Sequence, residues 1–175
     1  TLLFKPTVPE YGATKVILAF PNTYKVGITS LGYQIIWSTL AKRKDVDVRR
    51  LFTDQQEKSH RTSDLFGISL SWELDGPIIL DLLEQQNIPI WSHERNQNHP
   101  IVFGGGPVLT ANPEPFAPFL DIVLLGDGEC LLPEFIEKFR EVKSLSRRSQ
   151  LQKLAQIPGV YAPSLYRPDY SNDGQ

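Results

Sequence analysis

Ile101-Val102-Phe103 runs into Gly104-Gly105-Gly106-Pro107, and Thr110 follows. An apolar strand that ends on glycines leaves open space at its carboxyl end. In parallel α/β sheets that edge is where ligands bind. Three other stretches carry groups suited to the same place. Asn22, Tyr24 and Gly27 follow an apolar run at 15–20, Ser69-Leu70-Ser71-Trp72 closes a second run, and Gly126-Asp127-Gly128-Glu129 follows a third at 121–125. Glycine lets a ligand approach the backbone closely. The hydroxyls of Ser69, Ser71 and Thr110 both donate and accept hydrogen bonds. Trp72 is suited to cover a planar ring, and Glu73 and Asp75 to accept from amides. Asp127 and Glu129 also suit the first turn of a following helix, whose N-terminus favours negative charge.

Other chemistries find little support. His60, His93 and His99 lie in polar stretches with no cysteine or carboxylate at ligand spacing, so no metal site is expected. There is no G-x-S-x-G elbow, Walker loop or H-E-x-x-H helix, and no catalytic residue is expected. Cys130 stands alone, which excludes a disulfide framework, a zinc site or an iron–sulfur cluster within the chain. Beside Leu131 and Leu132 it reads as a buried packing thiol, and a single cysteine points to a cytoplasmic location.

The net charge of -2 argues against nucleic acid as partner. The basic clusters at 42–44, 49–50 and 147–148 read as solvated faces. No apolar run approaches the ~18–20 residues of a membrane span, so no membrane is expected as partner. The chain begins at Thr1 without an initiator Met and is expected to be a piece of a longer polypeptide.

The elements that must position these groups alternate in type. Apolar, β-branched runs at 15–20, 65–71, 101–103 and 121–125 read as buried strands, and the alternating run at 46–52 as a half-buried or edge strand. Between them lie amphipathic stretches. Ser30 is placed to cap a helix whose stripe holds Leu31, Ile35 and Trp37 to Leu40. Ile78, Ile79, Leu82 and Leu83 mark a helix over 75–86. A short helix is expected around 113–119, and Leu131, Leu132, Phe135, Ile136 and Phe139 mark a last long one with Pro133 in its first turn. Such alternation predicts an α/β fold, an open and mostly parallel five-stranded sheet with helices on both faces. The loops 21–30, 72–76, 104–110 and 126–130 should then converge. Beyond 143 the chain turns polar and basic, with a short helix near Leu151 and Leu154 and an extended, edge-like segment at 157–163. A domain over 1–143 with an extension or linker over 144–175 is expected.

Taken in order, these motifs resemble the cobalamin-binding-like domain at the N-terminus of many radical S-adenosylmethionine (radical SAM) proteins. That family carries D-x-H-x-x-G after the first strand, S-x-L after the third, G-G with a downstream Thr after the fourth, and a G-E/D-G-E turn after the fifth. Here Ser69, Gly105-Gly106 with Thr110, and Gly126-Asp127-Gly128-Glu129 fit, with Ser71 and Gly104 beside them, over roughly residues 15–142. In the first loop Asn22 stands at the Asp position, Tyr24 at the axial His and Gly27 at the Gly. The resemblance implies a Rossmann/flavodoxin-like sheet with the nucleotide tail of cobalamin along those glycines and serines. It also implies a radical SAM domain in the same polypeptide, carrying the iron–sulfur cluster and S-adenosylmethionine, and acting as an oxidoreductase on a small-molecule or macromolecular substrate. The fragment itself is expected to be non-catalytic.

Tyrosine, with one oxygen and a pKa near ~10, is a poor axial ligand for cobalt. Two readings stand: cobalamin binds without a protein ligand, or the domain keeps the shape as an interaction or substrate-positioning module that has lost the cofactor. A third is a free-standing flavin or phosphate-ligand binder at Gly104–Gly106.

Overall fold

The computed structural model describes residues 6–55, 57 and 62–167, so His60 lies outside the described residues. Strands β1 (Thr14–Ala19), β2 (Val46–Leu51), β3 (Leu65–Ser69), β4 (Ile101–Gly105) and β5 (Ile122–Leu124) pair in parallel, in the spatial order β2-β1-β3-β4-β5. That order bears out the flavodoxin-like sheet and puts its topological switch point between β1 and β3. A sixth strand extends the five that were expected. β6 (Val160–Tyr161) adds antiparallel to β5 and forms one edge of the sheet. β2 forms the other edge, one of the two placements its alternating pattern allowed.

The helices are α1 (Tyr24–Gly27), α2 (Leu31–Ala41), α3 (Gly76–Gln85), α4 (Pro107–Ala111), α5 (Gly128–Val142) and α6 (Arg147–Leu154). Along each central strand successive side chains go to opposite faces. Val16, Leu65, Ile101 and Phe103 join Phe135, Ile136 and Phe139 of α5 and Leu151 and Leu154 of α6. Ile17, Phe66, Ile68 and Val102 join Ile79, Leu82 and Leu83 of α3 and Val108 and Leu109 of α4. Gly67 makes room within the first layer. A Cβ there would collide with the Phe103 ring, which packs against Phe135 with 5.2 Å between centroids.

Several local expectations are corrected. Leu31, placed on the buried stripe of α2, is 74% exposed, and the helix buries Tyr33, Trp37, Leu40 and Ala41. Cys130 is exposed, because at about 100° per residue it falls on the side of α5 away from the inward-facing Leu132, Phe135 and Phe139. α5 begins at Gly128, so Pro133 falls in its second turn. The Glu129 carbonyl that loses a donor there belongs to an exposed residue and is left to solvent. The sequence did not signal α4, and the segment 114–119 is a 3-10 helix.

Asp121, just before β5, is a polar anchor. Its Oδ2 accepts from the Val102 N–H at 2.8 Å, from Arg95 at 3.1 Å and from Arg147 at 2.7 Å. Arg95 also donates to the carbonyls of Pro89, Ile90 and Phe119. Burial pulls the Arg95 guanidinium below its usual pKa, and Asp121 opposes this.

Candidate ligand pocket at the carboxyl edge

At the carboxyl ends of β1, β3, β4 and β5 lies a cavity of about 720 Å³, within the ~300–1,000 Å³ of small-ligand sites. Each loop contributes. From β3 come Ser69 and Ser71, from β4 Gly105, Gly106 and Thr110, and from β5 Gly126, Asp127 and Glu129. The connection after β1 brings Ser30, Gly32 and Tyr33 at the start of α2. Ser30 caps that helix, accepting from the Tyr33 N–H at 3.5 Å.

Gly106 is required where it stands. Its φ is 118°, and a Cβ would strike the carbonyl oxygen of Leu70. The two turns are stitched together by the Leu70 N–H, which donates to the Gly105 carbonyl at 2.9 Å. The Thr110 hydroxyl oxygen accepts from the Gly126 N–H at 3.4 Å. Gly128 lets α5 approach α2, since a Cβ there would meet the end of Ile36.

The cavity is graded in polarity. Its inner wall is made of Leu18, Tyr33, Ile68, Phe103, Leu124 and Leu132, all buried. The half-buried Ser30, Ser69 and Ser71 and the exposed Thr110 stand nearer solvent. Among the described residues the hydroxyls of Ser69 and Ser71 meet no hydrogen-bond partner. The charged residues of the lining are Asp127 and Glu129, with no lysine or arginine.

Tyr33 went unnoticed in the sequence. Its hydroxyl donates to the Leu18 carbonyl at 2.9 Å, and its ring meets Phe20 edge-on at 5.1 Å. Burial pushes its pKa far above the usual phenol value. Phe103, Leu132 and Ile36 were read only as strand or helix core, or not at all. No motif marks an aromatic or aliphatic side chain that faces a cavity rather than a neighbour.

The remaining expected residues fall elsewhere. Asn22 and Trp72 line a second cavity of about 480 Å³, which shares Ser30 and Ser71 with the first. Trp72 is 68% exposed. Asn22 hydrogen-bonds the Asp75 carboxyl, whose pKa is raised by burial and partly held down by that bond. Tyr24, Gly27 and Gly104 line neither cavity. Tyr24 packs edge-on against Phe52 at 5.1 Å with the Arg50 guanidinium 5.9 Å from its ring, and its N–H donates to Asp54 at 2.7 Å. Gly27 is buried against Phe20 and Phe52, and Gly104 against Leu109 and Leu120. His93 stands beside Trp91, and His99 accepts from the Asn96 N–H, both away from the main cavity. Among the described residues no group of histidines, cysteines and carboxylates could hold a metal ion. Among them no helix is long and apolar enough to cross a membrane.

Comparison with known proteins agrees with this architecture. A family model described as radical SAM proteins, N-terminal, matches residues 37–163. An uncharacterized protein of Methanocaldococcus jannaschii is 23% identical over 157 residues, covering 89% of this chain and 33% of that protein. Among solved structures, the cobalamin-dependent S-adenosylmethionine radical enzyme OxsB, with aqua-cobalamin and S-adenosylmethionine bound, superimposes with a TM-score of 0.54. The match is 16% identical and covers 93% of this chain and 21% of that one. The radical S-adenosylmethionine methyltransferase TsrM of Kitasatospora setae, with tryptophan substrate and an S-adenosylmethionine analogue bound, gives 0.56 at 16% identity, over 93% of this chain and 29% of that one. The chain thus spans a third of the curated relative and less of the two enzymes, and the structural likeness establishes the shared fold.

Proposed function

This chain belongs to the N-terminal family of radical SAM proteins, and we propose that its carboxyl-edge cavity receives the nucleotide tail of cobalamin. The observation that carries the reading is the graded cavity over the glycine turn at Gly105–Gly106. An apolar inner wall suits an uncharged planar base. The free hydroxyls of Ser69 and Ser71 suit a nitrogen of that base and the sugar-phosphate that follows it. Asp127 and Glu129 of the lining would serve as acceptors for the amide groups of a corrin. When bound, cobalamin would supply a cobalt able to carry a methyl group or an electron. The chain's part is to hold and orient it.

Tyr24 contributes no lower ligand in this reading, because Phe52 and Arg50 hold its ring away from the cavity. The proposal therefore places cobalt without a protein ligand from the first loop. The whole polypeptide is proposed to continue, through the extension over 144–175, into a radical SAM domain with an iron–sulfur cluster and S-adenosylmethionine. It would work in the cytoplasm as an oxidoreductase on a substrate of unassigned class.

A second reading rests on the same loop. The absence of imidazole at Tyr24 and the bond between Asn22 and Asp75 favour a module that shapes a substrate cleft without cobalamin. The flavin or phosphate reading is disfavoured, since the segment after β1, over 21–30, is not a dense Ser/Thr/Gly phosphate loop. The test is retention of hydroxocobalamin by the purified chain through gel filtration, read from the visible spectrum. A coloured, near-stoichiometric complex is expected. A colourless protein overturns the proposal in favour of the second reading, and retained flavin in favour of the third.

A further inference from the structure

We propose that the inner wall of this cavity selects corrinoids by their lower base, preferring benzimidazole over adenine. The inference rests on the tail-binding reading above and goes beyond it to the identity of the tail. The wall formed by Leu18, Ile68, Phe103, Leu124 and Leu132 carries no side-chain hydrogen-bonding group. Tyr33 supplies one hydroxyl, and its proton is already donated to the Leu18 carbonyl at 2.9 Å. The ring cannot swing to offer it elsewhere, being fully buried and wedged between Phe20 and Phe52.

The two bases make different demands on such a wall. A dimethylbenzimidazole linked to ribose presents one ring nitrogen and two methyl groups. One half-buried hydroxyl, that of Ser69 or Ser71, satisfies the nitrogen, and the methyl groups gain from apolar contact. Adenine presents an exocyclic amino group and several ring acceptors, spread around its perimeter. Hydroxyls confined to the mouth cannot reach all of them, and a polar group buried without a partner costs most of its hydration. Pockets discriminate most sharply when a competitor is left with such unpaired groups. The expected preference is roughly tenfold or more for the benzimidazole form.

The experiment measures equilibrium dissociation constants of the 175-residue chain for three cyano-corrinoids by corrin absorbance. They are cobalamin, its counterpart with adenine as lower base, and cobinamide, which has no nucleotide tail. The expected order is cobalamin tightest, the adenine form at least about tenfold weaker, and cobinamide weaker than cobalamin. Equal affinity for both tailed forms, each tighter than cobinamide, overturns the selection while tail binding stands. Equal affinity for all three overturns the placement of the tail. No binding of any overturns the cobalamin reading itself. Ile36 of α2 also lines the cavity, and the variant Ile36→Gln sets an amide there, which should narrow the cobalamin-to-adenine ratio several-fold. If it fails to fold, as judged by circular dichroism, the wild-type ratio still decides.

Discussion

Arg147 and Asp121 lie 2.7 Å apart, and through that contact the first turn of α6 is bound to the residue that opens β5. Asp121 is 2% exposed and serves Arg95 at the same oxygen. The neutral variant Asp121→Asn would leave two guanidiniums facing each other in a site largely shut off from water. A loss of about 3–5 kcal/mol is expected. Arg147→Met leaves Arg95 to balance the carboxylate and should cost only about 1–2 kcal/mol. Urea unfolding of the two variants checks the order, and a costlier Arg147→Met would refute this account of the cluster.

The glycines of the two turns should respond differently to alanine. Gly106 combines a φ of 118° with a collision against the Leu70 backbone. Gly106→Ala should destabilise by about 2–3 kcal/mol and remove ligand retention. At Gly126 the φ is 107°, but a Cβ meets nothing within 4 Å. Gly126→Ala should cost about 1 kcal/mol and leave retention measurable. Thermal or urea denaturation beside the hydroxocobalamin assay separates the two.

Restoring an imidazole should not restore a cobalt ligand. Position 24 is turned toward Phe52 and Arg50 by the single turn of α1, so Tyr24→His puts its ring in that aromatic nest. The expected outcome is an unchanged visible spectrum of bound hydroxocobalamin and a stability loss of about 0.5–1.5 kcal/mol from the lost edge contact. A shift of the corrin bands on this substitution would show that the loop reorganises around the ligand.

Tyr161 should give the domain an alkaline weakness. Burial, and then its 2.8 Å bond to Glu114, raise its pKa from 10.0 to about 12. In the unfolded chain the phenol ionises near 10, so the contribution is complete below that pH and is lost as pH rises toward 12. Unfolding midpoints from pH 8 to 12 should therefore fall more steeply for wild type than for Tyr161→Phe. Parallel curves would refute the role assigned to this phenol.

The strands were the most legible part of the sequence, because a buried parallel strand is a dense apolar run and Leu65–Ser69 or Ile101–Gly105 can hardly be anything else. Convergence of Ser69, Gly105 and Gly126 on one rim follows from that topology alone. The first loop was not legible in the same way. The turn of α1 sends Tyr24 and Gly27 sideways, and four residues carry no periodicity to reveal it. Nor was Tyr33, since the stripe of α2 was read from Leu31, Ile35 and Trp37 to Leu40; the helix does bury Trp37 and Leu40, but Tyr33 rather than Leu31 takes the inward place in its first turn. Leu31, the first residue of the helix, is left exposed.

Gly67 never touches the hollow, yet it governs its dimensions. Phe103 is accommodated over a strand that offers it no side chain, and its ring is part of the chamber wall. Adding a single methyl one strand away would displace that ring, so the breeding ground for altered ligand preference extends behind the wall, to positions that no inspection of the wall itself would pick out.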